Sequence, residues 1–142
     1  ELEDVYDSLN SQYEDSVAAS EEVTARINKV ESVAEALFDE WSEELEKYEN
    51  ASLKRDSSAK LRETQRRYTS LMKAMRKAES KMPPVLSALQ DNVLYLKHNL
   101  NASAIGALQG ELSTIENNVA QLIGQMNSAI AESDAFIASM KN

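Results

Sequence analysis

Apolar side chains return at alternating intervals of four and three residues along nearly the whole chain, and few folds accept that spacing. In the first third the stripe is Leu2, Tyr6, Leu9, Tyr13, Ser16, Ser20, Val23, Ile27, Val30, Ala34, Leu37 and Trp41, continued by Leu45 and Tyr48. The middle third carries Leu61, Thr64, Tyr68, Leu71, Met75, Ala78 and Met82, then Leu86, Leu89, Val93, Leu96 and Leu100. The last third repeats it from Ile105 through Leu112, Val119, Met126, Ser133 and Phe136 to Met140. A seam of period 3.5 sustained this long predicts helices lying side by side at shallow crossing angles. With 3 Gly and 2 Pro in 142 residues, the turn chemistry that a sandwich or an α/β fold needs is missing.

The seams are interrupted at ENAS (49–52) and LNAS (100–103). Asn and Ser accept the backbone N–H groups that a helix start leaves free, so Asn50 or Ser52 opens helix 2 and Asn101 or Ser103 opens helix 3. Short connections make neighbouring helices antiparallel. The expected fold is all-α: an elongated antiparallel three-helix coiled-coil bundle, up-down-up, in a single domain over 1–142. Helix 1 spans about 1–49, helix 2 about 52–99 and helix 3 about 102–141. At 1.5 Å rise per residue such a rod is roughly 70 Å long. Pro83 and Pro84 fall within the second pattern. There the spacing through Met75, Ala78, Met82, Leu86 and Leu89 shows a four-residue insertion, so helix 2 is expected to kink or break near 82–84.

Charge is strongly segregated. Residues 1–50 hold 16 acids and 3 bases, residues 54–81 hold 10 bases and 3 acids, and the whole chain has net charge −9. A hairpin centred near residue 51 sets Arg62 towards Glu40, Arg67 towards Glu35, and Lys81 towards Glu21 and Glu22. The basic run KLRETQRRYTSLMKAMRK (60–77) is therefore expected to pair mainly within the molecule. Arg66 and Lys73 fall opposite the seam and form a candidate basic surface for phosphate or lipid headgroups. Nucleic acid is disfavoured: the adjacent helix is acidic, no reading motif is present, and Tyr68 belongs to the seam.

The most informative surface is the side of helix 3 that faces away from the seam. It presents Gly106, Gly110, Ser113, Asn117, Ala120, Gly124, Ser128, Ala131 and Ala138, and only five charged residues occur between 102 and 142. An interior Gly costs a helix about 1 kcal/mol against Ala. Small residues let another backbone approach, so this face is expected to be covered by a fourth helix, from further upstream sequence or from another chain. Ile123, Ile130 and Ile137 widen the apolar side.

Chemistry is sparse. There is no Cys, which removes disulfides, thiolate metal sites and cysteine nucleophiles. His98 is the only histidine, near the end of helix 2, where a cationic ring suits the helix dipole. Neither a Gly-rich phosphate loop, a nucleophile elbow nor a Glu-x-x-His metal motif is present. Trp41 and most of the Met residues read as core. No catalytic, cofactor or metal residue is assigned, and the chain is expected not to be an enzyme. Ser16, Ser20 and Ser133, small polar interruptions of the seams, would mark a ligand pocket if the bundle were a sensor.

The strings YEDSVAASEEVTARINKVESVAEALFDEWSEEL (13–45), NASLKRDSSAKLRETQRRY (50–68), AMRKAESKMPPVL (74–86) and LKHNLNASAIGALQGELSTIE (96–116) resemble an uncharacterised bacterial family, known only as a domain of unknown function. Its members occur mainly in gammaproteobacteria, often as lipoproteins. The resemblance implies the periplasmic side of the cell envelope, a lipid anchor and a further helical segment upstream. The present chain then reads as the C-terminal part of a longer one. It implies no activity or cofactor. The expected function is a non-enzymatic envelope scaffold that binds a protein partner or its own kind. A sensory bundle is the alternative, and binding to an anionic membrane through Arg66 and Lys73 the weaker one.

Overall fold

The computed structural model describes residues 2–141, and every regular element in them is helical. Helix α1 runs Leu2–Leu45, α2 Ala51–Ser80, α3 Met82–His98 and α4 Ala102–Lys141. Asparagine opens both helices that follow a loop. Asn50 Oδ1 accepts the Leu53 N–H at 3.0 Å and Asn101 Oδ1 accepts the Ala104 N–H at 2.9 Å. The serines of the two loops are not the caps.

One boundary differs from the sequence expectation. Helix 1 stops at Leu45 rather than at 49. Glu46 and Lys47 donate their N–H groups back three residues, to Glu43 and Glu44, so the helix tightens and ends. Its last turn has no base, and Glu43, Glu44, Glu46 and Glu49 crowd the end where the helix dipole disfavours negative charge. The break expected near 82–84 is present and divides helix 2 into α2 and α3, falling at Lys81, just before the prolines. Pro83 and Pro84 occupy the first turn of α3, where a missing N–H leaves no helical bond unmade and the fixed φ is already helical. They therefore start a helix instead of bending one.

The chain divides into two compact units, Glu1–Thr24 with Ala78–Met126, and Ala25–Lys77 with Asn127–Asn142. In the second unit Ile27, Val30, Ala34 and Phe38 of α1 are buried, with Leu61, Tyr68, Met72 and Met75 of α2 and Ile130, Phe136 and Ile137 of α4. Each Val, Leu, Ile, Phe and Met among them contributes roughly 1.5–3 kcal/mol through burial. Phe38 is buried in place of Leu37, because a straight helix drifts about 20° per heptad against a strict 3.5 repeat. The contacts Trp41 with Ser57, Phe38 with Tyr68 and Asn28 with Arg76 descend α1 as they ascend α2. The two helices therefore run in opposite directions in this unit.

In the first unit the core is Val23 of α1, Met82, Leu89, Val93 and Leu96 of α3, and Ala104, Leu112, Ile115, Val119 and Met126 of α4. Asn92 is buried among them, and its amide donates to Glu111 Oε1 at 3.4 Å. Here α1 contributes little: Val5, Tyr6, Leu9 and Tyr13 are only half-buried.

Candidate interaction surface

All nine small or polar positions picked out on helix 3 lie on α4 and are exposed: Gly106, Gly110, Ser113, Asn117, Ala120, Gly124, Ser128, Ala131 and Ala138. A Cβ built on any of the three glycines meets nothing within 4 Å. No described residue covers this face. The isoleucines expected to widen it do otherwise. Ile130 and Ile137 are buried in the core of the second unit, and Ile123 is half-buried.

Grooves flank the face where α4 meets α1. In the first unit Gln12, Asp15, Ser16 and Ala19 of α1 line one with Glu116, Val119, Ala120 and Ile123 of α4. In the second, Val30 and Val33 of α1 line another with Ile130, Ile137 and Ala138 of α4, edged by Arg26, Lys29, Asp134 and Lys141. Both are open furrows that combine apolar and charged lining residues.

The serines expected to mark a ligand pocket fall in both units, Ser16 and Ser20 one turn apart on α1 of the first and Ser133 on α4 of the second. The Ser16 hydroxyl donates to the Gln12 carbonyl at 2.8 Å in the first unit. Ser133 is buried in the second, its hydroxyl 3.6 Å from the Met75 sulfur. Ser20 is half-buried in the first unit.

The bases of α2 find partners other than those expected. Arg76 reaches Asn28 at 2.8 Å and Glu31 at 3.5 Å, and Lys54 reaches Glu46 at 3.8 Å. Arg62 bonds Ser58 of its own helix rather than Glu40, and Lys60 pairs with Asp56 one turn back. Arg67 lies over the Phe136 ring, 5.0 Å from its centroid, instead of meeting Glu35. Lys81 sits between α2 and α3, its N–H bonded to the Ala78 carbonyl at 3.1 Å. The reason is reach: at (i, i+3) and (i, i+4) a partner is already alongside on the same helix. Arg66 is exposed and paired with Glu63, and it shares a shallow groove with Arg62, Gln65 and Thr69. Lys73 is exposed.

Sequence reasoning missed several features. Trp41, read as core, is half-buried, and its indole N–H donates to Ser57 at 2.9 Å. Tyr68 was legible as core but its hydroxyl was not: it is buried without a hydrogen-bond partner among the described residues. Burial, then the charges of Glu31 and Glu35 and against the opposing Arg76, pushes its pKa up to about 12. His98 closes α3 and is exposed. Among the described residues no group of three or more His, Cys, Asp or Glu is placed to hold a metal. No described helix is long and apolar enough to cross a membrane.

Residues 1–140 match the family model described as Protein of unknown function (DUF2959). Neither a curated protein nor a solved structure matches the chain.

Proposed function

We propose that this chain, which belongs to the DUF2959 family, is a non-enzymatic helical scaffold of the cell envelope whose α4 face receives a further helix or a protein partner. One observation carries the reading. Nine positions along α4 are small or weakly polar and all are exposed, three of them glycines with free space where a side chain would stand. A helix kept that small and that poorly charged in water forgoes helix propensity for close approach. The reading takes the helices as an up-down-up coiled-coil bundle, supported by the opposed pairing of α1 and α2 in the second unit. The envelope setting and lipid anchor rest on the resemblance of the four sequence strings to gammaproteobacterial lipoproteins.

The test is a photo-crosslinking residue placed in the full-length protein in its native host, at Ala120 and, as control, at Ser70 of α2. A single discrete adduct from Ala120, absent from Ser70, is expected. Equal labelling from both sites, or none from Ala120, sinks the reading.

A sensory bundle is the second reading, supported by Ser16 in the wall of the first unit's groove. Thermal stabilisation by a small molecule, lost on Ser16→Leu, would favour it. Binding to an anionic membrane through Arg66 and Lys73 is the weaker alternative, since Glu63 already partners Arg66.

A further inference from the structure

We infer that the end of the second unit at the α1–α2 turn is a docking surface for a second copy of this chain. Tyr48 and Leu53, on either side of the turn, are 42% and 56% exposed and rank among the chain's exposed large apolar residues. Leu53 is not there by slack. Its N–H is held by the Asn50 cap at 3.0 Å, which fixes the backbone where α2 begins. Neither side chain belongs to this unit's buried core.

Charge identifies the occupant. The α1 side of the turn carries Glu43 and Glu44, and the α2 side carries Arg55 and Arg62, all four exposed. Lys54 pairs with Glu46 across the turn at 3.8 Å, and none of these four charges is seen to pair across it among the described residues. A two-fold axis at the turn sets the acidic edge of one copy against the basic edge of the other, twice over, with Tyr48 and Leu53 enclosed between them. A purely acidic or purely basic partner would satisfy only one edge and face the other with like charge. The apolar area is small, so the dimer is weak and salt-sensitive. This surface lies on α1 and α2, so it neither needs nor tests the α4 reading.

Sedimentation velocity across a concentration series tests it. We expect a monomer–dimer equilibrium that loosens roughly tenfold when ionic strength rises from about 0.05 M to about 0.5 M. Leu53→Glu abolishes it. Two charge-reversal variants, Glu43→Lys/Glu44→Lys and Arg55→Glu/Arg62→Glu, leave the Lys54–Glu46 pair intact. Each alone stays monomeric with unchanged circular dichroism, and an equimolar mixture regains the dimer. A wild-type chain that stays monomeric at millimolar concentration overturns the inference. So does a dimer that survives Leu53→Glu, or a mixture of folded variants that fails to associate.

Discussion

The ring of Tyr68 meets that of Phe38 nearly edge-on, with centroids 5.4 Å apart and planes at 69°. The contact is favourable, but it carries the Tyr68 hydroxyl into a place where no described residue bonds it. Tyr68→Phe keeps the ring and removes the orphan, and should stabilise the fold by about 1 kcal/mol in urea titration at neutral pH. Because the folded pKa is raised to about 12, the folded state holds this proton more tightly than the unfolded chain, whose tyrosines titrate near 10. Wild-type stability relative to the variant is therefore level below pH about 10 and falls as pH rises from there through the folded value. Parallel alkaline profiles for the two proteins would show the hydroxyl to be solvated.

Met75 and Ser133 set a contrast within the same unit. Both are essentially inaccessible, and the hydroxyl reaches only a thioether at 3.6 Å, a weak acceptor. Ser133→Ala should change stability by less than about 1 kcal/mol. Met75→Ala leaves a cavity and should cost about 2–5 kcal/mol. Equal losses in chemical denaturation would mean that the hydroxyl contact is strong.

The placement of Pro83 and Pro84 in the first turn of α3 predicts a small effect. Replacing both with Ala should shift stability by no more than about 1 kcal/mol and leave the helical dichroism unchanged. Prolines trapped in a helix interior would release roughly 3 kcal/mol each when removed. A gain of that size would place them inside a strained continuous helix.

Gly106, Gly110 and Gly124 stand in open space, so Ala at each should add about 0.5–1 kcal/mol to the isolated chain through helix propensity. The same triple variant should lose crosslinking from Ala120, because a Cβ intrudes where a partner's backbone would lie. Stability raised with crosslinking retained would remove close approach as the reason for the glycines.

What the residues disclosed was whatever has a strong local cause. Period 3.5 announced the helices, and ENAS and LNAS announced where caps stand because short acceptor side chains ahead of a seam favour that use, but the choice of Asn50 and Asn101 over Ser52 and Ser103 needed the structure. Depth of burial was less legible: Phe38 and Met72 displaced seam residues as real helices drifted from the ideal repeat. The sign of the α2 charges was plain, yet their partners were not. Arg62 and Lys60 found acceptors one turn away, while a register rule looks only across the hairpin. The small-residue face of α4 could be read directly, because a helix exposing Gly and Ala in place of Glu and Lys departs from what water selects. The turn surface at Tyr48 and Leu53 was hidden. Tyr48 continued the stripe and passed for core, and only solid geometry shows that the stripe outruns its cover.

The thin burial of α1 in the first unit has a consequence of its own. No side chain from Leu2 to Glu22 is buried, while α3 and α4 lock together through Leu89, Leu96, Leu112 and Ile115. Peeling those first five or six turns away bares little new grease and is the cheapest excursion this unit has. Amide hydrogen exchange along this stretch of α1 should therefore run ahead of that in α3 and α4.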